Sequence, residues 1–217
     1  MNYDCQYFVY KDPDRPVSSP NFITLDQLLR KQRLPMPKRR QRFALAWILS
    51  SSFLQLLESP WLPASWQKSD IVFYQDSKQP GRYALDQPHL NHQLAPQAES
   101  GPLTERNRRM QLSSSLEALG IVLLELCFGE LLEEQPYRTK HSNSGCDPIE
   151  RIFDVAAAKE WHGEVEEDAG YEYAVAVGWC LGGILSAPPD KWREEMLQKV
   201  VHPLESCHGH LSQRIDM

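Results

Sequence analysis

Two carboxylates, Asp70 and Asp86, are the first candidates for chemistry in this chain. Each stands next to a β-favouring run, Asp70 before Ile71-Val72-Phe73-Tyr74 and Asp86 after Arg82-Tyr83-Ala84-Leu85. Two carboxylates projecting from neighbouring strand ends supply hard oxygen ligands for a divalent cation. The same residues serve equally as a turn cap and a strand end. Cys207-His208-Gly209-His210 offers a thiol and two imidazoles to a soft metal, and His89-x-x-His92 offers two more imidazoles, but neither set supplies four ligands locally. No G-x-S-x-G elbow is present, and Cys127 and Cys180 fall on apolar helical faces, where thiols are inert. No metal is expected from these sets.

The composition bounds the classes further. The 217 residues carry a formal charge of -6, with 41% hydrophobic and 24% charged residues, the profile of one globular domain. The acidic balance argues against general nucleic-acid binding. One basic cluster, Arg30, Lys31, Arg33, Lys38, Arg39, Arg40 and Arg42, runs against it. It is compatible with a nuclear address, or with a solvated helix start neutralised by Glu130, Glu133, Glu134 or the acids of 164–168. The five cysteines are scattered without a CxxC pair, which fits free thiols in a reducing compartment. Neither a secretory signal nor a membrane span is read, because the apolar run from Leu119 to Phe128 is interrupted by Glu125 and is short of the roughly 20 residues a bilayer needs. An intracellular, cytoplasmic protein is expected.

The elements that would position these residues are mainly helical. A strand is expected over 3–10, followed by a Pro- and Ser-rich connector, so that 1–21 forms an N-terminal strand and linker and 22–210 a helical domain. Thr24 caps a short helix bearing Leu25, Leu28 and Leu29. A long helix over 38–58, apolar at nearly every position from Phe43 to Leu49, is expected to be buried on more than one side and stopped by Pro60. Strands over 71–74 and 82–85 are expected to pair as a hairpin around Pro80-Gly81. Residues 86–111 have no period. The S-x-x-E spacing at Ser114 to Glu117 predicts the start of a core helix, and Gly129 its end. Asp147-Pro148 opens another helix, with Ile149, Ile152, Phe153 and Ala156 on one face. A helix over 170–185 follows. A last one, capped by Asp190, carries Trp192, Met196, Val200 and Leu204 and is kinked or ended by Pro203.

The phrases Arg42-Phe43-Ala44-Leu45-Ala46-Trp47-Ile48-Leu49, Ser59-Pro60-Trp61-Leu62, Trp66-Gln67-Lys68-Ser69-Asp70-Ile71, Ala118-Leu119-Gly120-Ile121-Val122-Leu123-Leu124-Glu125-Leu126 and Val200-Val201-His202-Pro203-Leu204-Glu205 occur in that order. On these phrases the chain resembles the fungal domain of unknown function 7580 family, which itself resembles a degenerate protein kinase C-lobe. The resemblance implies a mainly α, kinase C-lobe-like helical domain with a small β-hairpin and a short N-terminal strand. It also implies an association with fungal self/non-self recognition or cell-death control. In the kinase comparison Ser65 stands at the catalytic aspartate, Asp70 at the metal-binding asparagine and Asp86 at the metal-binding aspartate without the following Phe-Gly, while Ser115 replaces the aspartate that opens the central helix. No segment before residue 40 supplies a glycine-rich loop or strand lysine.

The expected function is therefore a non-catalytic, pseudokinase-like protein-binding or regulatory domain with no cofactor. Its partner would be another protein or a second copy of the chain, docked through the face lacking an N-lobe, where Trp61 and Trp66 are the expected contacts. The alternative is a divergent phosphotransferase that binds Mg2+ and ATP through Asp70 and Asp86.

Overall fold

The computed structural model describes residues 21–213 except 33, 60, 64, 77, 78, 80, 92–103, 141–146, 183, 185 and 186. The expected strand over 3–10, Pro60 and Pro80 lie outside the described residues. The chain is mainly helical with a small three-stranded antiparallel sheet.

Strand β2 (Ile71–Tyr74) is the middle strand. Its Ile71, Val72 and Phe73 are all buried, so both faces of the strand are covered. β1 (Phe22–Thr24) covers one edge with Ile23 opposite Phe73, and β3 (His89–Leu90) covers the other with Val72 opposite His89. Of the hairpin expected from strands 71–74 and 82–85, the described residues form a bridge between Gln75 and Tyr83, with the Asp76 N–H on the Arg82 carbonyl at 2.8 Å and the Ala84 N–H on the Tyr74 carbonyl at 3.1 Å, rather than a paired second strand.

Thr24 ends β1 and caps α1 (Leu25–Leu29). Its Oγ1 accepts from the Gln27 N–H at 3.1 Å while Gln27 Oε1 accepts from the Thr24 N–H at 3.2 Å. This reciprocal pairing satisfies two backbone donors that the first helical turn leaves open. α1 then buries Leu25, Leu28 and Leu29.

Helix α2 (Arg39–Leu56) packs between α3 (Glu105–Phe128) and α9 (His202–Gln213), burying Phe43, Leu45, Ala46, Leu49 and Phe53. α3 is the core helix, as expected, but it begins three turns earlier than Ser114. Thr104 is its cap, with Oγ1 accepting from the Asn107 N–H at 3.3 Å. Ser114 and Glu117 lie inside the helix instead, and Glu117 Oε1 accepts from Ser113 Oγ at 3.4 Å, one turn away. Gly129 ends α3 in the left-handed conformation, φ 73°, with its N–H on the Glu125 carbonyl. Arg42 completes that end: Nε donates to the Leu126 carbonyl at 2.7 Å and Nη2 to that of Cys127 at 3.0 Å. These are two of the carbonyls a helix leaves without partners at its C-terminus, where a cation is also favoured.

Among the described residues, α3 alone is long and apolar enough to cross a membrane, and 67% of its apolar window is buried inside the protein. It is so apolar because other elements surround it.

The remaining helices wrap this centre. Short α4 (Pro136–Thr139) leads towards α5 (Asp147–Trp161), which starts at the expected Asp-Pro pair. The buried face of α5 is its C-terminal Ala157, Ala158 and Trp161, whereas Ile149 and Ile152 of the expected apolar face are exposed. α6 (Val165–Ala169) and α7 (Tyr171–Cys180) follow, and α7 stops about a turn before the expected end. Gly120 of α3 lets α7 come close, since a Cβ there would lie 2.8 Å from Leu181 Cδ2 and 3.1 Å from Cys180 Cβ.

The final segment opens at α8 (Trp192–Met196), with Lys191 rather than Asp190 at its cap. A π-helical turn over Leu197–Val201 then precedes α9. Pro203 has no N–H and its ring crowds the carbonyl four residues back, at Lys199, so the wider turn falls where the α-ladder must give way. Trp192, Met196, Val200 and Leu204 nevertheless all reach the core.

Candidate functional site

A cleft of about 680 Å3 opens where α3, α1, α5 and the turn before β2 meet. Its floor is one face of α3: Ser114, Glu117, Ala118, Ile121, Val122 and Glu125 recur at helical spacing. Ser65 to Ser69 form one wall, Arg151, Asp154 and Val155 of α5 another, and Asp26 and Arg30 of α1 stand at the rim with Glu133.

The deepest group is Glu125, which is 0% exposed. Lys68, on the 3₁₀ turn Lys68–Asp70, reaches down to it and donates at 2.8 Å to Oε1 and 3.0 Å to Oε2, and the Leu132 N–H donates to Oε1 at 3.1 Å. Burial pushes the Glu125 carboxyl above the ordinary carboxylate range, and the Lys68 ammonium opposes that shift. The pair satisfies a charge that helix α3 carries into the core, as a buried ion requires.

The other cations of the cleft are also engaged. Arg30 binds Asp26 at 3.0 Å and Glu133 at 2.7 Å, which holds its guanidinium pKa above the ordinary value, Asp26 contributing most. Arg151 donates to the Ser114 carbonyl, and Asp154 is paired with Arg138 at 2.5 Å. Glu117 differs: its carboxylate accepts from Ser113 Oγ and makes no ion pair among the described residues.

The sequence-derived candidates fall in different places. Asp70 Oδ2 accepts from the Gln67 N–H at 2.8 Å, so its carboxylate caps the turn that presents Lys68. Asp86 is exposed and lines a separate polar cleft of about 950 Å3 with Tyr74, Asp76, Arg82 and His89, to which Asp70 does not contribute. Ser65 is exposed at the lip of the first cleft. Trp61 is 39% exposed, while Trp66 is buried, packed edge-on against Phe53 with ring centroids 4.5 Å apart and its Nε1 donating to the Ser115 carbonyl at 3.4 Å. Trp66 therefore joins the turn to the core.

His89 packs edge-on against Tyr74, and its expected companion His92 lies outside the described residues. In the Cys207 to His210 stretch, His208 stacks on Trp47 while Cys207 is buried beside Glu172 with its thiol pushed up to about 11, mainly by burial. Cys127 is held up at about 12 for the same main reason. Among the described residues no three His, Cys, Asp or Glu side chains gather as a metal site. The basic cluster is partly neutralised as expected, through Arg30 with Glu133 and Arg39 with Asp168.

Lys68, Glu125 and Glu117 were not singled out by sequence reasoning as site residues. Glu125 carried a usable signal: one carboxylate in the apolar run from Leu119 to Phe128 must find a buried partner. Lys68 had none, because a lysine before a strand is ordinarily solvated.

The architecture defines a mainly helical domain whose core helix forms the floor of a charged cleft. The family model described as domain of unknown function (DUF7580) matches residues 10–208, and the chain belongs to this family. No curated protein and no solved structure matches it.

Proposed function

We propose that this chain is a non-catalytic protein-binding module of kinase C-lobe-like architecture, and that the cleft over α3 is where its partner docks. The observation that carries the reading is the commitment of the cleft's cations. Lys68 is held by Glu125, Arg30 by Asp26 and Glu133, and Arg151 by the Ser114 carbonyl. A phosphoryl-transfer site needs cations and metal ligands directed at phosphate oxygens. Here two of the cations are directed at the protein's own carboxylates and Arg151 at a backbone carbonyl, and Asp70 and Asp86, the metal ligands of a phosphotransferase reading, serve a turn and a separate cleft. The succession of a long helix, the Ser65 to Asp70 turn, a strand and a buried helix supports the C-lobe likeness. The role that likeness carries is regulatory, in an intracellular fungal protein concerned with self/non-self recognition or cell-death control.

The test is a thermal-shift titration with ATP, with and without magnesium or manganese, alongside a phosphoryl-transfer assay. A ligand selective for the native state raises Tm by mass action. The proposal expects no metal-dependent rise and no transfer. Turnover abolished by Asp86→Ala would replace it with the phosphotransferase reading.

A further inference from the structure

The cleft has a second character besides its ion pairs. Ala118, Ile121 and Val122 of α3 and Val155 of α5 make an apolar strip along its floor and wall. Five carboxylates line the cleft (Asp26, Glu117, Glu125, Glu133 and Asp154) against three cations (Arg30, Lys68 and Arg151). The pairing above leaves Glu117 as the carboxylate without a cation among the described residues, and it adjoins Ala118 and lies one turn from Ile121. A groove between two helices, with an apolar strip on its floor beside a carboxylate that makes no ion pair, is complementary to an amphipathic helix with a basic residue beside its apolar face.

We infer that the partner segment is a short, basic amphipathic helix whose apolar side chains pack on Ala118, Ile121 and Val155 and whose lysine or arginine pairs with Glu117. This rests on the binding-module reading and names the chemistry of its ligand. Glu117 supplies orientation and discrimination between charges, and the apolar strip supplies most of the affinity.

The experiment uses the full chain and fluorescently labelled synthetic 14-residue peptides with leucines at i, i+3, i+4 and i+7. One set carries arginine beside the leucine face, a second glutamate at the same positions, and a third the arginines with the leucines scrambled. Anisotropy titrations are expected to show saturable binding of the Leu/Arg peptide, at least tenfold weaker for the other two. Glu117→Arg is expected to reverse the preference towards the Leu/Glu peptide. Hydrogen exchange on the wild-type complex should add protection over 114–122 and 151–155, a readout independent of the variant's folding. Absence of saturable binding, equal binding of both charge types, or protection elsewhere overturns the inference. Those results bear on ligand chemistry alone, whereas nucleotide turnover in the preceding test removes the binding-module reading beneath it.

Discussion

Lys68 Nζ lies 2.8 Å from Glu125 Oε1, joining the turn before β2 to the last turn of the core helix. Lys68 keeps 19% of its side chain exposed at the cleft while Glu125 has none, so the pair carries charge from the surface into the interior. Such a contact fixes where the turn sits over the helix, because removing one partner leaves the other buried and uncompensated.

Lys68→Met is accordingly expected to destabilise the protein by roughly 3–5 kcal/mol at neutral pH, the range for breaking a buried pair. The double variant Lys68→Met, Glu125→Gln should recover most of that loss, since the glutamine is neutral and still accepts from the Leu132 N–H. Urea unfolding of the two variants and wild type measures both effects. A double variant no more stable than the single one would show that the pair's charge is not what holds the turn.

The pH dependence follows from the raised Glu125 pKa. The native state holds this proton more tightly than the unfolded state, so the contribution is full below the ordinary glutamate range. It is lost as pH climbs through the raised native value. The difference in unfolding free energy between wild type and Glu125→Gln should therefore fall from pH 4 to pH 8, and fall more steeply in a Lys68→Met background. A difference that grows with pH would mean that the attraction of Lys68 outweighs desolvation.

Two helical glycines should respond in opposite directions to alanine. At Gly120 a new methyl meets Leu181 Cδ2 at 2.8 Å and Cys180 Cβ at 3.1 Å, so Gly120→Ala is expected to cost about 1–3 kcal/mol through overpacking between α3 and α7. At Gly209 of α9 nothing lies within 4 Å, and alanine should stabilise by about 0.5–1 kcal/mol through helix propensity alone. Thermal unfolding of both variants decides this. A neutral Gly120→Ala would mean that Leu181 moves aside freely.

The parts legible in the sequence were those set by local chemistry. Thr24 capped α1, Asp147-Pro148 opened α5, Gly129 closed α3, and Pro203 marked the disturbed turn before α9. The start of α3 was misread because the S-x-x-E spacing of Ser114 and Glu117 also occurs inside a helix, while the actual cap, Thr104, precedes a polar first turn without apolar period. The expected apolar face of α5 was displaced because its burial is concentrated in the last turn, at Ala157, Ala158 and Trp161. The β2 pairing depended on Phe22–Thr24, nearly fifty residues upstream, which turn signals do not report. The cleft was hidden for the same reason, since Lys68 and Glu125 meet only through the fold.

The last prediction separates the two tryptophans that the sequence placed on one surface. Trp66 is 5% exposed, packs edge-on against Phe53 and donates to the Ser115 carbonyl, whereas Trp61 is 39% exposed. Trp66→Ala is expected to cost about 3–5 kcal/mol, the range for a large buried aromatic side chain. It also leaves a void under the cleft wall. Trp61→Glu should change stability by no more than about 0.5 kcal/mol, as surface substitutions do. If the exposed Trp61 also contributes to association, light scattering across a concentration series will show a mass that falls towards the monomer in Trp61→Glu with its unfolding curve unchanged. A loss of stability at Trp61 as large as that at Trp66 would place it in the core and remove it from any docking surface.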